Sequence, residues 1–222
     1  MHNRVLITSG PTREPLDPVR YLGNRSSGLT GLHLAEVFAE KYHADVVFIS
    51  GPVCRYPEGV RIIPVETAVE MHRAVFNHLK TARIVIMAAA VSDFRPVNPS
   101  MQKIKKDKVA LVIELEPNPD ILEEAGRIRS GDQILVGFAA ETDDPLINAR
   151  RKFRSKNLDL LVLNEVSREN PAFGDVENRV VLVTADSETP LPKMPKRKLA
   201  ERIAGAIIHM MAAESGGENL HG

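Results

Sequence analysis

Short apolar runs rich in β-branched residues alternate with amphipathic stretches along most of the 222-residue chain. The predicted strands are 4–9, 44–50, 60–65, 83–88, 133–138, 158–163 and 179–184. The predicted helices are 28–41, 68–80, 118–128, 142–156 and 198–211. Runs without polar interruption are typical of parallel strands that are covered on both faces. The pattern predicts an α/β fold, a Rossmann-like, doubly wound and mostly parallel sheet with helices on both faces.

No internal repeat or interdomain linker interrupts this alternation. We therefore expect a single domain over residues 1–213, followed by a flexible C-terminal tail over 214–222. The polar stretch 94–108 is predicted to be a loop, and 109–115 a half-exposed strand. Because long loops in compact domains often act as lids, the loop is also a candidate functional segment.

The charge balance and the single cysteine exclude several classes of protein. Lys plus Arg and Asp plus Glu number 29 each, so the usual electrostatic basis for binding nucleic acid or an anionic membrane is absent. Cys54 alone cannot form a disulfide framework or a cysteine-based zinc site, and the histidines lack metal-binding spacing, so no protein-bound metal site is predicted. Without a signal-like or membrane-spanning apolar run, a cytoplasmic location is expected.

Four polar segments each follow a predicted buried strand, after Ser9, Ala88, Phe138 and Leu163. Because the carboxyl ends of parallel strands meet at one edge of a sheet, these segments predict a common site. The first ends in Ser26-Ser27-Gly28 at the start of a helix, where a phosphate or carboxylate could bind with help from Arg20 or Arg25. The alternative is a plain serine cap beside surface arginines.

The other segments offer a carboxylate, an aromatic ring and lysines. Asp93 follows small residues and could contact a sugar hydroxyl or a base amine, although such residues often only form turns. The run 103–108 could close a lysine over a triphosphate, or simply be a solvated surface. Lys152 and Lys156, four apart, would share a helix face and clamp polyphosphate while Phe138 faces a base; the alternative is a solvated face.

In these segments the chain resembles phosphopantothenate–cysteine ligase, the ligase half of the bacterial bifunctional coenzyme A biosynthesis protein. The matching stretches, in the family's order, are GPTREPLDPVRYLGNRSSG, AAAVSDFRP, KIKK, NPDIL, GFAAET, the Lys152/Lys156 pair and SKNLDLLVLNEV. The resemblance implies an enzyme that activates the carboxylate of 4′-phosphopantothenate with CTP as co-substrate. An acyl-cytidylate forms as pyrophosphate leaves, and cysteine then displaces CMP.

The same resemblance implies cofactors, partners and roles for individual residues. It implies Mg²⁺ with the nucleotide, no FMN in this chain, a homodimer in which Arg20 could serve the neighbouring site, and a separate or fused phosphopantothenoylcysteine decarboxylase. The implied catalytic residues are Asn24 and Lys103. The implied phosphopantothenate-binding residues are Arg20, Asn24, Ser26, Ser27, Gly28 and Ala90. The implied nucleotide-binding residues are Ala89, Asp93, Lys103, Pro117, Asn118, Pro119, Asp120, Phe138, Lys152 and Lys156.

Two other classes of function remain open at the level of the sequence. A Rossmann-like fold could serve an NAD(P)- or flavin-dependent reductase. However, the first loop lacks the GxGxxG spacing, and the second strand ends in Ser50-Gly51 without an acidic residue for the adenosine ribose. A non-catalytic nucleotide-binding or interaction module is the other alternative, and it would show no turnover.

Overall fold

A computed structural model describes residues 4–106, 111–171 and 173–217. The strands are β1 (Arg4–Ser9), β2 (Arg13–Pro15), β3 (Tyr21–Gly23), β4 (Asp45–Ser50), β5 (Arg61–Pro64), β6 (Ile84–Met87), β7 (Phe94–Pro96), β8 (Leu115–Pro117), β9 (Ile134–Glu141), β10 (Leu160–Glu165), β11 (Asn178–Val183) and β12 (Glu188–Met194). The helices are α1 (Leu29–Tyr42), α2 (Ala68–His78), α3 (Ile121–Ile128), α4 (Pro145–Ser155) and α5 (Lys196–Gly217). A 3₁₀ turn, Leu79–Thr81, follows α2.

Eight strands form a central sheet in the order β12-β11-β10-β9-β6-β1-β4-β5. The strands from β10 to β5 pair in parallel, and β11 and β12 add an antiparallel edge. Numbered along the chain, the six parallel strands have the order 3-2-1-4-5-6, which is that of a Rossmann sheet. The predicted α/β architecture is confirmed, and the order of the strands reverses between β1 and β6.

Two apolar cores cover the two faces of this sheet. One contains α1 and α5, with Phe38 and Ile203 packed against Val5 of β1. The other contains α2, α3 and α4, with Met71 packed on the face that carries Leu6. Each fully buried Leu, Ile or Phe side chain stabilises the fold by about 1.5–3 kcal/mol. Successive residues such as Val5 and Leu6 point into opposite cores. Because both faces of each strand are buried, the predicted strands are apolar throughout.

Glycines set the close approach of α1 to β1. Gly28 precedes the helix with a φ of 74°, a left-handed conformation that glycine adopts at no steric cost. A Cβ atom on Gly31 would lie 2.4 Å from Oγ of Ser9, so a larger residue could not pack there. The amino end of α1 is therefore seated directly on the carboxyl end of β1, which positions it beside the edge where the site was predicted.

The predicted boundaries are wrong in the short ribbons and at the antiparallel edge. The loop predicted over 94–108 contains β7, which pairs with β8 in a two-stranded ribbon. The strand predicted over 109–115 begins only at Leu115; residues 111–114 are irregular, and 107–110 lie outside the described residues. Strands β2 and β3 form a second ribbon inside the polar segment after Ser9, for which no strand was predicted. The edge strand β12 contains Pro190 and Pro192, which edge positions tolerate but which hide a strand in the sequence.

Several helix ends also differ from the predictions. Asp120, rather than Asn118, caps α3, since its carboxylate accepts a hydrogen bond from the backbone N–H of Glu123 at 2.9 Å. Helix α4 ends at Ser155, and Lys156 follows it as the C-cap residue, with its N–H donating to the carbonyl of Lys152 at 3.0 Å. Helix α5 continues through Gly217, into the segment predicted as a tail, and 218–222 lie outside the described residues. Within the described ranges, no helix combines the length and apolarity needed to cross a bilayer.

Candidate active site

A cavity of about 890 Å³ lies at the carboxyl ends of β1, β6, β9 and β10, next to the reversal of strand order. This is where open parallel sheets bind ligands. Predicted site residues on its wall are Asn24, Ser26, Ser27, Gly28, Ala89, Ala90, Asp93, Asn118, Pro119, Asp120, Phe138 and Lys152. The four segments predicted to share a site therefore line one cavity.

The segment after β6 is fixed by the loop after β1. The backbone N–H of Ala90 donates to the carbonyl of Gly10 at 2.9 Å, and that of Thr12 donates to the carbonyl of Ala90 at 3.2 Å. The hydroxyl of Thr12 accepts a further bond from the N–H of Ser92 at 2.9 Å. This run of backbone contacts gives the floor of the cavity a fixed shape without bulky side chains.

Asn24 is tied to the same floor through its side chain. Its Nδ2 donates to the carbonyl oxygens of Ala90 and Val91, at 3.0 Å each. Both amide hydrogens are thereby committed to the protein, so Oδ1 is the atom that Asn24 can offer to a ligand. The side chain is exposed on the cavity wall, where a ligand can reach it.

The start of α1 offers donors for an anion. Ser26, Ser27 and Gly28 line the cavity with Arg25, and Oγ of Ser26 accepts a bond from the N–H of Gly28 at 3.3 Å. Ser9 secures this turn because its hydroxyl donates to the carbonyl of Gly28 at 2.9 Å. Hydroxyls, an arginine and the positive end of a helix dipole together suit a phosphate or a carboxylate.

The ribbon of β7 and β8 joins two predicted binding segments that are distant in sequence. The N–H of Asn118 donates to the carbonyl of Asp93 at 2.8 Å, and its Nδ2 donates to the carbonyl of Ser92 at 2.9 Å. Arg95 donates to Oδ1 of Asn118 at 2.9 Å, and to the carbonyl of Pro117 at 3.2 Å. Asp93 and 118–120 therefore form one rigid wall, while Pro117 lies behind it.

The two lysines predicted to clamp phosphate occupy different surroundings. Lys152 lines the cavity, whereas Lys156 does not; the amine of Lys156 pairs with Asp120 at 2.7 Å and with Glu123. Burial lowers the pKa of Lys156, but the hydrogen bonds to the two carboxylates outweigh this and raise it. Burial raises the pKa of Asp120, and the bonds from Lys156 and from the N–H of Glu123 reverse this and lower it. Lys156 thus secures the start of α3 behind the wall.

Arg20 and Lys103 lie off the cavity wall, in two loops joined by Asp17. The Asp17 carboxylate is fully buried and accepts bonds from the Arg20 guanidinium and from the N–H of Ile104, the latter at 3.1 Å. Arg20 in turn donates to the carbonyl of Ile104 at 2.8 Å. The Arg20 hydrogen bonds hold the pKa of Asp17 far below its usual range. Lys103 is exposed beside this junction, and Asp107 and Lys108 of the lysine run lie outside the described residues.

The cavity is also lined by residues of β10, β11 and α5, and we call this part of its lining the lobe. The segment after Leu163 was predicted to reach the site, whereas β11 and α5 were not. The polar residues of the lobe are Asn164, Asn178 and Lys196, and its apolar wall includes Val162 and Leu199. Lys196 escaped notice because the closing helix was predicted to begin two residues later. The spaced asparagines between β10 and β11 were the available signal.

The acidic groups of the cavity are few. Asp93 and Asp120 are the carboxylates on its wall. Across residues 4–106, 111–171 and 173–217, no cluster of three or more His, Cys, Asp or Glu side chains could hold a metal ion. A Mg²⁺ ion held mainly by phosphate oxygens and water, with one or two carboxylates, fits this wall.

Comparisons with known proteins agree with this geometry. A family model described as DNA/pantothenate metabolism flavoprotein C-terminal domain matches residues 1–211. The coenzyme A biosynthesis bifunctional protein CoaBC of Vibrio cholerae is 42% identical over 211 residues, which are 94% of this chain and 52% of that protein. A cysteine/cysteine sulfinic acid decarboxylase from an unknown prokaryotic organism is 42% identical over 207 residues, 92% of this chain and 56% of that protein. The chain spans about half the length of these curated relatives.

Solved structures give the same result. The crystal structure of the C-terminal domain of a CoaBC protein has a TM-score of 0.79 at 37% identity, covering 95% of this chain and 96% of that one. A Cab2 mutant in complex with phosphopantothenate-cysteine has a TM-score of 0.77 at 19% identity, covering 97% of this chain and 89% of that one, and supports the fold alone. The resemblance found in the sequence motifs is confirmed: the chain belongs to the family of the DNA/pantothenate metabolism flavoprotein C-terminal domain, the C-terminal half of CoaBC proteins.

Proposed function

We propose that the chain is a phosphopantothenate–cysteine ligase that uses CTP. The observation that carries this proposal is the convergence of separate motif segments on one cavity, with Asn24, Asp93, Phe138 and Lys152 on the same wall. Family membership supports the reaction class, since the chain matches the C-terminal half of a coenzyme A biosynthesis protein. It does not favour the alternative of an NAD(P)- or flavin-dependent reductase.

The proposed reaction has two steps in the same cavity. A carboxylate oxygen of 4′-phosphopantothenate attacks the α-phosphorus of CTP, and pyrophosphate leaves. The amine of cysteine then attacks the carbonyl carbon of the acyl-cytidylate; the amide forms, CMP leaves and the nitrogen gives up one proton. Activation is needed because a free carboxylate has no adequate leaving group.

The position of each residue in the cavity suggests which substrate it binds. The start of α1, with Ser26 and Ser27, binds an anionic group of phosphopantothenate, and Oδ1 of Asn24 contacts the acyl intermediate. Asp93 and 118–120 hold the nucleoside, Phe138 packs against its base, and Lys152 binds phosphate.

A metal ion, two further lysines and a second subunit also belong to the proposed mechanism. Mg²⁺ would be carried by the triphosphate and would screen its charge, with Asp93 and Asp120 within the same wall. Lys103 would approach from its loop, and Lys156 would reach phosphate only by exchanging its carboxylate partners. The proposal includes a homodimer in which Arg20 serves the neighbouring site, a fused or separate decarboxylase, no FMN in this chain, and a cytoplasmic location.

The test is a nucleotide panel with the purified chain. With CTP and phosphopantothenate, we expect pyrophosphate release that depends on both; addition of cysteine should release CMP and form phosphopantothenoylcysteine in equal amounts. ATP should support slower release. Formation of a nucleoside diphosphate and phosphate would contradict the acyl-cytidylate, and absence of any phosphopantothenate-dependent pyrophosphate release would overturn the function.

A further inference from the structure

A lysine is buried in the lobe of the cavity to which neither nucleotide nor phosphopantothenate has been assigned. Lys196 is 5% exposed, lines the cavity and is the first residue of α5. Its amine donates to Oδ1 of Asn178. Among the described residues no carboxylate forms an ion pair with it, and Asp175 acts on it only as a Coulombic attraction at longer range.

This arrangement leaves a positive charge without a counterion. Lysine is almost never fully buried unless it is paired, because removing an ammonium group from water costs several kcal/mol. A neutral amide oxygen satisfies one of its three donors but not its charge. Burial lowers the pKa of Lys196, and the attraction of Asp175 opposes this only in part. The lobe is therefore electrostatically suited to a ligand that brings an anionic group.

The rest of the lobe limits the size and character of that ligand. Val162, Val180 and Leu199 form its apolar wall, and Asn164 adds an amide. Asn170, which is 3% exposed, links the ends of β10 and β11, since it donates to Oδ1 of Asn164 at 2.7 Å and to the carbonyl of Arg179 at 3.0 Å. Aliphatic side chains beside a single ammonium group suit a ligand that combines a small apolar part with one anionic end.

We propose that this lobe binds the amino acid co-substrate and that Lys196 pairs with its α-carboxylate. The inference rests on the proposed function. That function needs a third substrate near the acyl intermediate, and the lobe opens into the same cavity as Asn24 and Phe138. Cysteine fits the chemistry: its carboxylate supplies the missing negative charge, and its small thiol side chain suits the aliphatic wall. Lys196 stays protonated and transfers no proton.

The test compares cysteine with cysteamine, which has the same amine and thiol but no carboxylate. For Lys196→Met, we expect the KM for cysteine to rise about 10- to 100-fold, as for the loss of a charge-assisted hydrogen bond, while the KM for cysteamine stays unchanged. Pyrophosphate release with CTP and phosphopantothenate alone should also stay unchanged. Lys198→Met is the matched control, because Lys198 is exposed two residues along the same helix.

A second variant changes the charge beside Lys196 and keeps the lysine, and pyrophosphate release without cysteine reports whether the variant is folded. Asn178→Asp places a carboxylate beside the Lys196 amine, where it competes with the substrate carboxylate, so the KM for cysteine should again rise selectively. Equal loss with cysteine and cysteamine in both variants would overturn the assignment and indicate a role in proton transfer. A raised KM for CTP or phosphopantothenate would assign the lobe to that substrate instead. Intact pyrophosphate release separates these failures from a failure of the proposed function, in which that release is absent in the wild-type chain.

Discussion

The Nδ2 of Asn24 has a structural role, whereas its Oδ1 is available to a ligand. Its amide hydrogens join the loop before α1 to the carbonyls of Ala90 and Val91, and its oxygen remains for the ligand. In Asn24→Asp the carboxylate cannot donate these two bonds and would repel both carbonyl oxygens. Because the side chain is exposed, the lost bonds should cost about 1–3 kcal/mol of stability, whereas ligation should fall about 100-fold or more.

This prediction is checked by ligation rate and by circular dichroism melting. Asn98→Asp, an identical change at an exposed asparagine, is the control and should behave as the wild type. Wild-type turnover in Asn24→Asp would show that the amide has no chemical role.

Substitution of Lys152 and of Lys156 should have different effects on nucleotide binding and on stability. Lys152→Met should raise the KM for the nucleotide about 10-fold or more with little change in melting temperature, because Lys152 lines the cavity. Lys156→Met should change the KM less and lower the melting temperature, because Asp120 and Glu123 lose their partner. The stability effect should be about 1 kcal/mol or less, since both carboxylates are exposed.

The pH dependence of the Lys156 effect follows from the two pKa shifts. The pKa of Lys156 is raised and that of Asp120 is lowered, so their stabilisation is present between the two values. It is lost as the pH falls through the pKa of Asp120, below its ordinary 3.8. The difference in melting temperature between wild type and Lys156→Met should therefore be constant from about pH 5 to 9 and vanish in stronger acid. A larger KM effect in Lys156→Met than in Lys152→Met would show that Lys156 exchanges partners for phosphate.

These residues also show what the sequence could predict. The motif segments at strand ends converge on one cavity, because strand ends of a parallel sheet meet whatever the details of the loops, although Arg20, Lys103, Pro117 and Lys156 lie off its wall. Lys156 lies off the cavity because its amine pairs with Asp120 and Glu123, partners that a four-residue spacing of lysines cannot reveal. Lys196 could not be identified from the sequence at all, because its burial depends on the packing of α5 against strands distant in the chain.

At the level of elements, Asp17 couples the loop before β3 to the lysine segment 103–106. In Asp17→Asn the amide retains at most part of the network of bonds to Arg20 and Ile104 and loses its charge. We expect the lysine segment to become more mobile, ligation to fall and the melting temperature to drop, because a buried carboxylate loses its charge-assisted hydrogen bonds. Because the Arg20 bonds hold the pKa of Asp17 far below its usual range, the wild-type junction should persist into strong acid.

Trypsin measures this loosening directly, since Lys103, Lys105 and Lys106 are exposed cleavage sites. Cleavage there should accelerate in Asp17→Asn and stay at the wild-type rate in Asp186→Asn, a change at an exposed aspartate outside this junction. Unchanged cleavage and unchanged ligation together would contradict the coupling.

The elements that the sequence missed share a physical cause. The parallel strands can be recognised in the sequence as apolar runs because both of their faces are buried. In β6, for example, every residue is buried. The ribbons β2–β3 and β7–β8 are three residues per strand and largely exposed, so neither apolar periodicity nor length marks them. Such ribbons project from the sheet and are stabilised by contacts that lie far apart in sequence.

For the whole molecule, the two ribbons carry apolar surface beside the cavity. Tyr21 is 51% exposed, Leu22 38%, Phe94 49% and Leu115 44%. The loops that follow β2 and β7 are joined, since the N–H of Ser100 donates to the carbonyl of Leu16 at 2.9 Å. Exposed apolar surface of this kind is typical of protein interfaces. Asn24 directly follows β3, so a second copy seated on the ribbons would bring its own loop to the edge of the cavity.

The proposed homodimer can therefore be tested through the ribbons. Leu22→Asp places a charge in the apolar surface, and we expect it to convert a wild-type dimer into a monomer with strongly reduced ligation. Ile147→Asp is the matched control, since Ile147 is 70% exposed on α4 and distant from the ribbons in the fold; it should stay dimeric and active. Light scattering after size-exclusion chromatography gives the mass of each species. A monomeric wild type with full activity would show that one chain forms the complete site, and a Leu22→Asp dimer would place the interface elsewhere. Loss of ligation in step with loss of the dimer is the result expected if Asn24 and Arg20 act at a site shared by two copies.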